Sequence, residues 1–165
     1  MHIYLLRHGI AEDGGPTVHD RDRALTEDGR KKLQRAAATW RHLVESPEVV
    51  FVSPLRRAIE TAAVFTEAVR FSGEQRVEDA LVPAAPPALC MSLLEGEVFS
   101  GTKSVAVVGH EPNLGYLLGL LLTGHPRQPI PLKKGMLVGV ETESGASLIA
   151  ALRFSLTQKA AAELA

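Results

Sequence analysis

Short, almost continuously apolar runs alternate with longer amphipathic segments along this chain. Residues 3–6, 49–52 and 104–108 are apolar throughout or nearly so, which is typical of strands buried on both faces of a sheet. Two further runs, 136–141 and 147–153, predict strands joined by a turn at Ser144 and Gly145. A short strand is also predicted within 76–82.

The segments between the apolar runs show helical periodicity. After Thr26, a residue type that commonly caps helices, Leu33, Ala37 and Trp40 recur on one helical face. Ser53 and Pro54 predict the start of a second helix, with Ser53 as its cap and Pro54 in its first turn. Further helices are predicted at 88–98, 112–122 and 157–165, and irregular loops at 11–23, 83–87 and 124–134.

This order of elements indicates the fold class. Alternating strands and helices predict an α/β protein in which three layers, α/β/α, surround a mostly parallel central sheet. The chain shows no internal repeat, linker or change of composition, so residues 1–165 are predicted to form a single domain. Its 45% hydrophobic and 22% charged residues are an ordinary globular mixture.

Charge and cysteine content narrow the classes of function. A formal net charge of −1 lacks the basic excess that binding to nucleic acid requires, and the apolar run 114–122 is too short to span a membrane. The apolar start of the chain has no basic region before it and is too short for a signal peptide. Cys90, the single cysteine, allows neither an intrachain disulfide nor a multi-thiolate metal site. We therefore expect a cytoplasmic protein with no nucleic-acid or membrane partner.

Polar residues follow three of the predicted strands. Arg7 and His8 end the first, Arg56 and Arg57 come shortly after the second, and His110 follows the third. Because ligands bind at the carboxyl ends of parallel strands, these side chains are predicted to converge. A phosphoryl group carries close to two negative charges and fits Arg7 with either Arg56 or Arg57. A neutral His8 can attack phosphorus, and His110 can donate a hydrogen bond.

Two guanidinium groups and an imidazole already supply positive charge, so this chemistry calls for no metal and no cofactor. The chain also lacks a Walker-type loop, and Cys90 is not followed by the arginine of thiol-based phosphatases. Each feature alone has an ordinary structural explanation, such as a helix cap or a solvated helix face. Together, at three strand ends, they favour a phosphate site.

Three motifs carry a resemblance to a known family. LRHG at 6–9, SPLRRA at 53–58 and GHEPN at 109–113 follow predicted strands in the order found in the histidine phosphatase superfamily, which includes the phosphoglycerate mutases. The short length, RHGIAE at 7–12, and RALT at 23–26 with Gly29 resemble the phosphohistidine phosphatases of the SixA type. The resemblance extends from residue 2 to about residue 116 and implies a phosphoglycerate mutase-like fold.

The resemblance also implies residue roles. His8 is the nucleophile that carries the phosphoryl group as a covalent phosphohistidine, and Arg7, Arg57 and His110 bind phosphate. Arg57 takes this role because it directly precedes the alanine of the second motif, whereas Arg56 is assigned to the surface or rim. The implied substrate is phosphohistidine on a phosphotransfer or phosphorelay protein, which places the chain in signal transduction.

An acidic proton donor is the weakest part of the match. Larger members of the family carry one on the loop before the third strong strand, where this chain offers only Glu78 and Asp79, in poor agreement with the pattern. Because an imidazole can leave already protonated, phosphohistidine depends less on such an acid than an ester does. Glu78 and Asp79, with Glu12 and Arg23, are therefore assigned to the pocket rim.

Two alternative functions stay open. One is a phosphatase or mutase for small phosphorylated metabolites, although 165 residues leave little room for the cap that a mutase needs. The other is a module that binds phosphorylated ligands without turning them over, which the joint presence of a nucleophile and three phosphate ligands disfavours. An open site would favour a protein substrate and an enclosed one a metabolite.

Overall fold

A six-stranded sheet forms the centre of the fold in the computed structural model, which describes residues 1–125, 127–142 and 148–165. The strand order is β3-β2-β4-β1-β5-β6. The strands are β1 (His2–Arg7), β2 (Val49–Val52), β3 (Glu74–Val77), β4 (Ser104–Gly109), β5 (Leu137–Thr142) and β6 (Ala150–Leu156). The first four of these in spatial order pair in parallel, and β5 runs antiparallel to both of its neighbours. The predicted α/β class with a mostly parallel sheet is therefore confirmed.

Helices cover both faces of the sheet. They are α1 (Glu27–Leu43), α2 (Arg56–Ala68), α3 (Pro87–Ser100), α4 (Asn113–Thr123) and α5 (Gln158–Glu163). Alternate residues of β1 point to opposite faces, so Leu6 packs with Trp40 and Phe65 of α1 and α2, whereas Leu5 packs with Leu117 of α4. Each face of the sheet thus has its own buried apolar cluster.

The start of α1 agrees with the prediction from sequence. The hydroxyl of Thr26 accepts a hydrogen bond from the backbone N–H of Gly29 at 2.9 Å, which satisfies one of the free donors at the helix N-terminus. Glu27 and Asp28 occupy the first turn, where negative charge is favourable.

The predicted start of α2 is wrong. The helix begins at Arg56 after Leu55, and Ser53 is not its cap. Ser53 instead lies fully buried directly after β2, where its hydroxyl contacts the ring of His110 at 2.8 Å. The hydroxyl bonds to the imidazole and does not cap the helix, because a buried imidazole nitrogen needs a hydrogen-bond partner.

Other boundaries differ by a few residues. The strand expected within 76–82 is β3, Glu74–Val77, followed by a short 3-10 helix at Asp79–Leu81. A second 3-10 helix, Asp20–Asp22, lies within the expected loop 11–23. The turn predicted at Ser144 and Gly145 is outside the described residues. Over the ranges that are described, the fold contains no helix long and apolar enough to cross a membrane.

Candidate active site

The carboxyl ends of three parallel strands bring the predicted residues together. Arg7 at the end of β1 is in register with Gly109 at the end of β4, so His8 and His110 follow neighbouring strands. Their ring centroids are 4.9 Å apart and inclined by 50°. Ser53, which follows β2, donates its backbone N–H to Val108 at 3.0 Å and completes this edge of the sheet. The expected convergence of the two histidines is present.

His8 is buried and held in one tautomer. Its Nδ1 lies 2.7 Å from the carbonyl oxygen of Gly9. Because a carbonyl only accepts, Nδ1 carries the proton and the lone pair of a neutral ring is on Nε2. Burial lowers the pKa of His8 to about 4, and the positive charges of Arg57 and Arg7 act in the same direction, against the bond to Gly9. The ring is therefore neutral and nucleophilic near pH 7.

His110 offers a donor in the same place. Its Nε2 contacts the hydroxyl of Ser53, which also accepts the backbone N–H of Leu55 at 3.4 Å. The hydroxyl is fully satisfied when it donates to Nε2, and this leaves the proton of His110 on Nδ1. Burial and the nearby His8 lower the pKa of His110 to about 3, so this ring is neutral as well.

Two buried nitrogen atoms in this cluster have no partner within the described part of the chain, Nδ1 of His110 and Nε of Arg7. Arg7 also donates from Nη1 to the carbonyl of Leu132 at 2.6 Å. Burial lowers the pKa of Arg7, and the negative charge of Glu111 opposes that change. Buried donors are almost always paired, and an oxyanion can satisfy both of these.

The two arginines of the second motif have different surroundings. Arg57 is only 4% exposed, and its Nη1 and Nη2 donate to the backbone oxygen and the carboxylate of Asp20 at 2.7 and 3.0 Å. Arg56 is exposed and pairs with Glu60 on the same helix at 3.0 Å. The choice of Arg57 as the arginine of the site therefore agrees with its burial, and Arg56 lies on the surface as expected.

Thr61 fixes α2 to the end of β1. Its hydroxyl accepts the backbone N–H of Gly9 at 3.1 Å and donates to the carbonyl of Arg57 at 2.7 Å. One fully buried side chain thus connects the residue after His8 to the residue that bears the guanidinium. This contact is not predicted from the sequence.

The backbone segment 132–135, which begins within the predicted loop 124–134, also holds the site. Gly135 donates its N–H to the carbonyl oxygens of His8 and Arg7, at 3.0 and 3.1 Å. The preceding Leu132 is buried, accepts from Arg7, and donates its own N–H to a carboxylate oxygen of Glu111 at 2.9 Å. The signal that could have located this segment is Gly135, since its φ of +68° is a conformation that glycine adopts readily.

The four rim residues fall into two groups. Arg23 donates to the backbone oxygen of Glu12 at 2.7 Å and pairs with Asp20 at 2.8 Å, so this loop reaches Arg57 through Asp20. Glu78, half-buried, follows β3, and its N–H bonds to Val52 at the end of β2. Asp79 is exposed. The carboxylates of Glu12, Glu78 and Asp79 form no hydrogen bond or ion pair with any residue whose placement is described.

The acidic residues of the loop 11–23 do not form a metal site with other described residues. Within 1–125, 127–142 and 148–165, no group of three or more histidine, cysteine, aspartate or glutamate side chains is arranged to hold a metal ion. The Asp20 carboxylate binds arginines instead. Burial raises the pKa of Cys90 to about 12, which keeps its thiol protonated and unreactive.

Solved structures with the same fold include phosphatases. The protein histidine phosphatase SixA complexed with tungstate has a TM-score of 0.85 at 24% identity, over 96% of this chain and 98% of that one. A mycobacterial glucosyl-3-phosphoglycerate phosphatase has a TM-score of 0.68 at 18% identity, over 92% of this chain and 96% of that one. At these identities the likeness concerns the fold.

Sequence comparison extends the likeness to the family. An uncharacterised protein of Picosynechococcus sp. is 30% identical over 151 residues, 92% of this chain and 90% of the relative. Phosphohistidine phosphatase SixA of Escherichia coli is 30% identical over 124 residues, 75% of this chain and 76% of that protein. The model of the histidine phosphatase superfamily (branch 1) matches residues 3–82, which include the first two motifs. With the third motif beside them at the same sheet edge, the chain belongs to the histidine phosphatase superfamily.

Proposed function

We propose that this chain is a metal-independent phosphohistidine phosphatase that acts on a phosphorylated protein through a covalent intermediate on His8. The observation that carries the proposal is the state of His8: buried, neutral, with Nδ1 bonded to Gly9 and Nε2 free beside His110. A neutral imidazole with a directed lone pair is the nucleophile that attack on phosphorus requires.

In the first step, Nε2 of His8 attacks phosphorus while the phosphorus–nitrogen bond of the substrate breaks. The substrate imidazole leaves as a neutral ring when its other nitrogen already carries a proton, so no enzyme acid is needed. Arg7 and Arg57 bind the phosphoryl oxygens, and His110 donates to one of them from Nδ1. These donors stabilise the charge of the transition state.

In the second step, water replaces the departed imidazole and attacks the phosphoryl group on His8. The bond between phosphorus and Nε2 breaks, inorganic phosphate leaves, and the proton lost by water passes to the phosphate or to solvent. The His8 ring is released in its neutral form, because Nδ1 has kept its proton and still donates it to the carbonyl oxygen of Gly9. The same hydrogen bond therefore serves both steps.

The choice of a phosphohistidine substrate rests on the lack, among the described residues, of a well-placed acidic side chain that could protonate a leaving group. Neither histidine ring hydrogen-bonds to a carboxylate in the described part of the structure, since their ring partners are Gly9 and Ser53. An alkoxide leaving group needs a proton donor, and no carboxylate within 1–125, 127–142 and 148–165 is held against His8 or His110 to supply one. The E. coli relative is named for the same activity.

The test compares a phosphorylated histidine-containing protein with a panel of phosphate esters, using the wild type and His8→Ala. We expect release of phosphate from the phosphohistidine protein, slower release from esters, and almost no turnover by the variant. Wild-type turnover by His8→Ala would contradict the mechanism. Retained phosphate binding with no release from any substrate would instead indicate a binding module.

A small-molecule ester phosphatase is the second candidate, and the position of Glu78 favours it. This half-buried residue is at the same sheet edge as Ser53 and has no partner that would occupy its carboxylate within the described ranges. If Glu78 is a general acid, Glu78→Gln slows hydrolysis of esters with poor leaving groups and spares phosphohistidine. Asp79→Asn, one residue further and exposed, is the matched control.

A further inference from the structure

Asp20 holds the arginine that the proposed phosphatase needs for its substrate. We propose that the Asp20 carboxylate is a resident anion that competes with the phosphoryl group for Arg57 and thereby sets the affinity of the site for phosphate. This inference rests on the proposed function only in taking Arg57 as a phosphate ligand.

The geometry of the pair is that of a ligand on an arginine. Arg57 turns both terminal nitrogens toward Asp20, one to the backbone oxygen at 2.7 Å and one to the carboxylate at 3.0 Å. Two parallel N–H donors are also what a phosphoryl group uses when it binds arginine. An incoming phosphoryl group must therefore displace the carboxylate or bind beside it.

The two partners differ greatly in burial. The side chain of Arg57 is 5% exposed and that of Asp20 is 58% exposed. The arginine is fixed at the base of the site by α2 and Thr61, whereas Asp20 reaches it from a surface loop. The exposed partner is the one that can withdraw at little cost, because water replaces its hydrogen bonds.

Asp20 stays charged under working conditions. Its burial is slight and opposes ionisation, but hydrogen bonds from Arg23 and Arg57 outweigh this and hold the pKa of Asp20 below its usual value. Its negative charge also reaches His110, where it opposes the fall of that pKa. An ionised carboxylate this close to the phosphate ligands repels a dianion.

Such repulsion acts most strongly on the product. Inorganic phosphate has lost the contacts that the rest of the substrate makes, so its retention depends on the charges at the base of the site. A carboxylate that returns to Arg57 shortens the time that phosphate remains bound. Asp20 is in this sense a specificity-determining residue that favours the whole substrate over free phosphate.

The test replaces Asp20 by asparagine, which has the same size and can still accept from Arg57, but carries no charge. Asp22→Asn is the matched control, since Asp22 is on the same 3-10 helix, is exposed, and has no ion pair among the described residues. Calorimetry measures the dissociation constant of inorganic phosphate. The turnover assay gives the inhibition constant of phosphate together with kcat and KM.

We expect Asp20→Asn to bind phosphate on the order of tenfold more tightly at low salt, with a smaller gain at high salt because ions screen the repulsion. KM should fall, and kcat should fall as well if phosphate release limits turnover. Asp22→Asn should match the wild type. Asp20→Ala gives the same direction, and a thermal unfolding curve checks that each variant is folded.

If Asp20 only orients Arg57, its loss weakens phosphate binding or leaves it unchanged, and either result overturns the inference. The calorimetric measurement does not depend on turnover. A wild type that does not hydrolyse phosphohistidine, or a His8→Ala variant that is active, would reject the proposed function. Neither result would change the measured effect of Asp20 on phosphate affinity.

Discussion

A single hydrogen bond determines how His8 can react. The carbonyl of Gly9 fixes the proton on Nδ1, and burial near Arg57 and Arg7 keeps the ring neutral. Both effects favour the same proposed role, because an uncharged ring with a free Nε2 can act as a nucleophile and can later be released from phosphorus as a neutral group. The motif in the sequence identifies the residue, and its surroundings supply the physical reason for the nucleophilic role that we propose for it.

The protonation of His8 can be measured directly. Its pKa is lowered from about 6.5 to about 4, so we expect the ring signals in an NMR titration of the folded protein to change only as the pH approaches 4. In the denatured protein the same ring should titrate near 6.5. A midpoint near 6.5 in the folded protein would mean that the ring is not desolvated as the structure indicates.

Arg57 and its neighbour Arg56 form a matched pair for a second measurement. Arg57→Ala removes a buried charged donor, and we expect kcat/KM to fall by about a hundredfold or more. Arg56→Ala removes an exposed side chain whose ion pair with Glu60 is worth little, so its kcat/KM should be close to wild type. Equal losses in the two variants would refute the assignment of Arg57 to the site.

At the scale of elements, the sequence predicted the strands better than it predicted the contacts between them. Apolar runs are read locally, so β2 and β4 were located within a residue. The sequence assigns Ser53 wrongly because a helix cap and a hydrogen bond to imidazole both use a hydroxyl near the start of a helix. Asp20 and the segment that contains Leu132 act across more than thirty residues of sequence, and no local pattern reports such contacts.

Gly135 provides a test of the segment that holds Arg7 and His8. Its φ is +68°, and a Cβ there would lie 2.8 Å from atoms of the Gln158 side chain. Gly135→Ala should lower the free energy of unfolding by about 1 kcal/mol or more and reduce kcat by displacing the backbone that binds His8. The measurements are urea denaturation and the phosphatase assay.

Gly96 is the control for that substitution. It lies within α3, and a Cβ there meets nothing within 4 Å. Gly96→Ala should therefore raise the free energy of unfolding by about 0.5–1 kcal/mol, because alanine favours the helix, and leave kcat unchanged. Destabilisation by Gly96→Ala would contradict the open space around Gly96. No effect of Gly135→Ala would contradict the positive φ and the close contact with Gln158 at Gly135.

At the scale of the whole molecule, the candidate site makes folding sensitive to acid. His8 and His110 are both buried and neutral, with pKa values lowered to about 4 and about 3. The unfolded chain binds their protons near pH 6.5, whereas the folded protein does so only at much lower pH. Stability from these groups is therefore complete above pH 6.5 and is lost progressively as the pH falls toward the folded-state values.

This linkage leads to a prediction for His8→Asn. Between pH 7 and pH 5 one such histidine should reduce the free energy of unfolding by about 2 kcal/mol, since each pKa unit corresponds to about 1.4 kcal/mol. Urea denaturation at the two pH values should show that the wild type loses more stability than His8→Asn by about this amount. His42→Asn, at an exposed position of α1, controls for loss of a histidine and should behave like the wild type. Equal acid sensitivity of His8→Asn and wild type would mean that the pKa of His8 is the same in the folded and unfolded protein, so that burial does not keep the ring neutral.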